Sequence, residues 1–189
     1  RLKVQVFTRP QGILMAWDAR SHPFTECASF DALWRDPAVR DPTTGVFDKS
    51  RLLRDPELRD RIVAEAVALA TASTDTGNFG MTMPQSTDND GPGNLNASVM
   101  RKGALAKMFL DNADKIFRWT KTYDPPAHAS AGHEARARGV SPLRVVYDWM
   151  CEDRGTRVLS YLFMNFAHGS LDDCAEMLLH PDTIPGLGD

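Results

Sequence analysis

The stretch "VLSYLFMNFAHGSLDDCAEMLLHPDTIPGLGD", which closes the chain, constrains the fold more than any other. An uninterrupted apolar run, "VLSYLFMN", reads as a strand candidate. It is followed by "GSLDDCAEMLLH", a helical pattern in which Ser170 and Asp173 have the spacing of a capping box, and then by "TIPGLGD", a second short strand. Strand, helix and strand within some thirty residues form a βαβ unit, which favours parallel pairing and an α/β architecture. Asp189 then stands at the end of a strand, where α/β barrels carry their chemistry; a turn or N-cap role is the plain alternative.

Upstream, Leu2, Val4 and Val6 alternate with Arg1, Lys3 and Gln5, the period of a strand that ends near Thr8, and "TRPQG" breaks it. The chain to about Arg54 is rich in Pro, Asp and Arg, yet Trp17, Phe24, Phe30, Trp34 and Phe47 make it an ordered excursion rather than a linker. "RDPELRDRIVAEAVALA" predicts a helix, with Asp55 as cap, Pro56 at the first position, and Leu58, Ile62, Ala66 and Leu69 at helical spacing. The Gly/Asn/Asp-rich residues 74–96 read as a loop. "GALAKMFLDNADKIFRW" places Leu105, Met108, Phe109, Asn112, Ala113 and Ile116 on one helical stripe. "SAGHEARARG" predicts a short helix closed by Gly139, and "SPLRVVYDWMCEDRG" a core-facing helix capped by Ser141 and ended by Gly155.

The chain starts on a strand and stops on an acidic residue after a bend, so the sequence reads as an interior piece of a longer protein. Its 189 residues, 42% hydrophobic and 25% charged, are those of a soluble globular chain, and a net charge of −3 argues against nucleic acid as a partner. No run approaches the about 18 apolar residues of a membrane span. Cys27, Cys151 and Cys174 form no C-x-x-C pair, and buried thiols in a reducing cytoplasm are the expectation.

"NFAHGSLDDCAEMLLHPDTIPGLGD" resembles the segment of the amidohydrolase superfamily leading into the metal-site aspartate, in the N-acyl-D-amino-acid deacylase branch. "VQVFTRPQG", "SHPF", "LLRDPELRDRI" and "SPLRVVYDWMCEDRG" resemble that branch in the same order, and "MTMPQSTDNDGPGNLNASVM" departs from it. The resemblance implies part of a (β/α)8 barrel of TIM type: residues 1–10 a barrel strand, 11–127 a large, mostly helical insertion, and 128–189 βα units ending at Asp189. It implies a hydrolase of a C–N amide bond in a small N-acylated substrate, with zinc as cofactor and Asp189 both metal ligand and proton carrier. The family's H-x-H pair and its later histidines are not found, so this chain by itself does not hold the metal, and the fragment alone is expected to be inactive. The rest of its own chain is then a partner, and the unpaired sheet edge leaves a homo-oligomer open as another.

Five histidines offer no substitute metal set. His133-Glu134 lacks the second histidine of H-E-x-x-H because Ala137 stands there, and His128 and His133 are five apart. His22 and His180 precede prolines and suit turns. His168 and Asn165 are the candidates to line a cleft. The Arg9-Pro10-Gln11-Gly12 turn faces the same mouth as Asp189, with Gln11 beside an arginine able to grip a substrate carboxylate; a surface ion pair is the other reading of Arg9. Residues 74–96 are open to a lid role or to a passive one. A non-catalytic barrel, using the aromatic segment from Trp17 to Phe47 as a contact surface, is the rival from another class.

Overall fold

In the computed structural model, residues 3–19, 21–74 and 102–186 are described. In chain order the elements are β1 (Val4–Val6), β2 (Gln11–Met15), α1 (Ala28–Arg35), α2 (Ser50–Arg54), α3 (Pro56–Ala72), α4 (Ala104–Asp111), β3 (Ile116–Arg118), α5 (Ala131–Arg138), α6 (Pro142–Met150), α7 (Glu152–Gly155), β4 (Leu159–Met164), α8 (Asp172–Leu179) and β5 (Thr183–Pro185). They divide into two compact units, one made of residues 1–21 and 112–189, the other of residues 22–111.

The first unit mixes strands and helices. β2, β4 and β3 form an antiparallel sheet with β4 in the middle, while β1 and β5 form a separate parallel pair. The pattern of β4 explains its position: Leu159, Ser160, Tyr161 and Leu162 are all buried, so both faces are covered. One face packs Met15, Leu159 and Ile116, all fully buried; the other packs Phe117 and Leu162 against Phe166, with the Phe117 and Phe166 rings edge to face at 5.9 Å. Trp17, just past β2, meets Tyr147 of α6 edge to face at 4.9 Å.

The expected βαβ unit is present in part. β4, α8 and β5 occur as predicted, but β5 does not join the sheet of β4. Both hydrogen-bonding edges of β4 are occupied, by β2 and β3, so β5 pairs with β1 instead, Val4 opposite Thr183 and Val6 opposite Pro185. Among the described residues the strands close no barrel. Two strands are also additions to the sequence reading. The chain breaks only briefly at Thr8–Pro10 and resumes as β2, and Ile116 belongs to β3 rather than to the preceding helix, which ends at Asp111.

In the second unit, α3 follows its predicted caps: the Asp55 carboxylate accepts from the Leu58 N–H at 2.9 Å with Pro56 in the first turn. Ile62 and Ala66 are fully buried, and α3 packs on both α1 and α4. The aromatic segment is spent on cores. Trp17, Phe24, Phe30 and Phe47 are all buried, with Trp34 stacked on Phe30, so these rings do not present the contact surface required by the non-catalytic reading.

Two helix ends differ from expectation. Ser141 caps α6 through Leu143 N–H at 3.3 Å as predicted, but α6 stops at Met150, and Asp153 and Arg154 take φ of 50° and 60° before Gly155. At α8 the Ser170–Asp173 capping box does not form: Ser170 Oγ donates to the Asp172 carboxylate, and the Asp173 carboxylate is engaged by His168. The lid residues 74–96 lie, apart from Thr74, outside the described residues.

Candidate functional site

The parallel pair β1–β5 sets the geometry of the candidate site. Val4 N–H donates to Asp182 O at 2.9 Å and Gly186 N–H to Val6 O at 2.7 Å, so the ladder continues past both ends of β5. Parallel strands end on the same side, which places Phe7 and Gly186 at one edge of the pair. Gly186 permits this closeness, since a Cβ there would stand 2.9 Å from the Gln5 Cβ and 3.2 Å from Val6 O. Asp189, assigned both catalytic and metal-binding roles, lies outside the described residues.

The four residues predicted to bind substrate have known surroundings. The Arg9 guanidinium donates to the Tyr123 hydroxyl at 2.8 Å and lies 5.0 Å from its ring centroid, while Trp119 meets the same ring edge on at 5.8 Å. Arg9 is therefore set against an aromatic pair, a partner that sequence spacing could not reveal across 114 positions. Gln11 opens β2 opposite Met164, and Asn165 follows Met164 directly, so the antiparallel register brings Gln11 and Asn165 to one end of the sheet. Asn165 has φ of 55°, a left-handed conformation that asparagine accepts more readily than most residues. Its carbonyl receives the Cys174 thiol at 3.4 Å.

His168 stands three residues beyond Asn165, with its side chain 79% exposed and its Nδ1 2.8 Å from the Asp173 carboxylate. A carboxylate on Nδ1 holds the ring in the tautomer that turns Nε2 outward, as in catalytic and metal-ligating histidines. Among the described residues, however, no group of three or more His, Cys, Asp or Glu side chains is placed to share one metal ion. The described residues thus do not fit a zinc site by themselves. His22 and His180 serve turns, as their sequence context implied: each main-chain oxygen accepts from the N–H three residues on, Thr25 at 3.2 Å and Thr183 at 3.1 Å. His128 and His133 sit on separate helices, and their rings come within 6.5 Å.

A charged cluster in the same unit had no sequence signal. Arg118 of β3 grips Glu152 through Nε and Nη2 at 2.9 and 2.7 Å, and approaches Glu134 at 3.5 Å. Trp149, itself buried, donates its indole N–H to Glu134 at 3.0 Å. Burial opposes the charge on Arg118, but Glu152 and Glu134 outweigh it and raise the guanidinium pKa. Arg138 adds bonds to Glu134 at 3.1 Å and to Asp148 at 2.6 Å. Every acid here is met by an arginine, which marks the cluster as a brace joining β3, α5, α6 and α7.

No family model, curated protein or solved structure matches the chain. What is established is a mixed α/β fold in which no described helix is long and apolar enough to cross a membrane.

Proposed function

We propose that the protein contributes the closing part of a metal-dependent amidohydrolase, cytoplasmic, acting on a small N-acylated compound such as an N-acyl-D-amino acid. The observation that carries this reading is the β1–β5 pair. Two strands far apart in sequence run parallel and adjacent, with α8 packed on β5, as neighbouring strands of a (β/α)8 barrel do. That pairing gives "GLGD" the context its resemblance requires, directly after a parallel strand. In this reading the rest of the barrel and most ligands of its zinc belong to other parts of a longer chain, and residues 22–111 are an insertion.

Asp189 takes the proton of the water that attacks the amide carbon and passes it to the departing nitrogen as the C–N bond breaks, leaving a carboxylic acid and an amine. Arg9, held on Tyr123, and Gln11, at the same end of the fold as Asn165, serve the substrate carboxylate and its polar neighbours. The test is Asp189→Asn in the full-length protein, with amide hydrolysis and bound metal measured together. A loss of about 100-fold or more in kcat at unchanged metal content supports the role. Turnover within about tenfold of the parent removes it.

A further inference from the structure

Arg9 stands three residues beyond Val6, whose carbonyl accepts the Gly186 N–H at 2.7 Å, so it follows the end of the parallel pair at which Gly186 sits. Its guanidinium is placed by a side chain 114 positions away. The Tyr123 hydroxyl accepts from Arg9 Nη1 at 2.8 Å, and the ring centroid lies 5.0 Å from the guanidinium carbon. The first contact fixes one corner of the fork and the second its distance from the ring. Together they restrict a side chain that otherwise carries about 2 kcal/mol of rotamer entropy.

Tyr123 is held in turn. Trp119 meets its ring edge on at 5.8 Å, and the Trp119 N–H donates to Val158 O at 2.9 Å, next to the start of β4. Around Tyr123 the loop is bonded to itself: Thr122 N–H donates to Thr120 Oγ at 3.4 Å and Asp124 N–H to Thr122 Oγ at 3.1 Å. Burial does not account for the two rings, since Trp119 is 39% and Tyr123 40% exposed. Two large aromatic side chains are kept at the surface, and what they hold there is a guanidinium. A phenol grips that group without cancelling its charge, as a carboxylate partner would.

We propose that Tyr123 is the positioning residue of the carboxylate subsite, with Trp119 as its support: the pair sets the Arg9 fork to donate two parallel hydrogen bonds to the substrate carboxylate. This rests on the reading in which Arg9 meets that carboxylate. A fork fixed in advance stabilises the bound substrate and the transition state alike, so the pair governs KM rather than kcat, and only for substrates with the free carboxylate.

The test uses the full-length protein with N-acetyl-D-leucine and its carboxamide, followed by acetate release. Tyr123→Leu should raise KM for the carboxylate about tenfold or more with kcat within about twofold, and Tyr123→Phe, which keeps the ring, about threefold. Trp119→Leu should move KM in the same direction. The carboxamide rate should stay at the parent's value in all three variants, with circular dichroism confirming that each is folded. In an Arg9→Gln background, Tyr123→Leu should add less than about twofold, because it acts through that arginine. An unchanged KM in Tyr123→Leu, an equal loss on carboxylate and carboxamide, or full additivity with Arg9→Gln overturns the role of Tyr123 while amide hydrolysis by the parent stands. Acetate release from neither compound by the parent removes the hydrolase reading itself, and this inference with it.

Discussion

The Arg118 guanidinium lies 3.9 Å from the centroid of the Trp149 ring. The same arginine holds Glu152, and the same indole holds Glu134, so strand β3 is tied to α6 by a cation–π contact and to α5 and α7 by charge. Arg118 supplies the planar, charged surface that all three partners use.

Removing it should therefore cost more than an ordinary surface ion pair. With the Arg118 side chain 35% exposed, solvent screens part of the attraction, and Arg118→Ala should lose about 1–2 kcal/mol in urea unfolding. Arg118→Lys should recover little, because an ammonium can neither stack flat on Trp149 nor bind Glu152 through two nitrogens. A loss below about 0.3 kcal/mol in Arg118→Ala, or full rescue by lysine, would show that the cluster braces nothing.

A pH dependence follows from His22. It is fully buried, its ring meets Phe30 edge on at 4.9 Å, and its Nδ1 accepts from Phe24 N–H at 3.2 Å, an arrangement suited to the neutral ring. Burial pushes the imidazole pKa from 6.5 down to about 3. Between those values the unfolded chain takes up a proton that the folded chain refuses. Stability should thus be level above pH 6.5 and fall as the pH drops toward 3, at up to ~1.4 kcal/mol per unit. Urea midpoints from pH 8 to 5.5 measure this, in a range where ordinary carboxylates stay mostly ionised. His22→Gln should flatten the slope; an equal slope in the variant would assign the acid sensitivity elsewhere.

Local signals in the sequence survived where the chain decides its own structure. Asp55, Ser141 and Gly139 mark helix ends because each acts on backbone within a few residues, and the structure uses them as expected. Strand partners were not legible. Nothing in "VLSYLFMN" says that β2 and β3 fill both its edges and send β5 to β1, because partner choice depends on segments more than forty residues away. The site was readable to the same degree. Gln11 and Asn165 stand together through that non-local register, and Arg9 met an unforeseen tyrosine.

Thiol chemistry separates the three cysteines. Cys27 is fully buried, its Sγ faces Ile62 O at 3.5 Å, and burial with the nearby Glu65 and Glu26 charges drives its pKa up to about 12. Cys174 is buried as well, and burial with Asp173 raises its pKa, whereas Cys151 is partly exposed. A thiol reagent at pH 8 should modify Cys151 first and Cys27 only on unfolding, since the thiolate is the reacting form. Peptide mapping after brief labelling checks the order, and early modification of Cys27 would contradict its burial.

Gly103, just before α4, is the position where one methyl group should do the most damage. Its φ of 84° is open to glycine and strained for other residues. Space forbids a side chain too, because a Cβ would collide with the main-chain carbonyl of Leu69 in α3, and backbone cannot swing aside as a flexible side chain does. The amide of Gly103 donates to the Glu26 carboxylate at 2.9 Å, so a shift that relieved the collision would break this bond as well. α4 packs on α3 through Met108 and Phe109, both fully buried, and depends on that approach. Gly103→Ala should therefore cost about 2–4 kcal/mol, strain and lost hydrogen bond together. Gly139→Ala is the control, as φ there is 65° and a Cβ would meet no atom within 4 Å, so backbone strain alone should cost about 1 kcal/mol. Equal losses in the two variants would mean that the contact between α3 and the start of α4 is not as close as the structure has it.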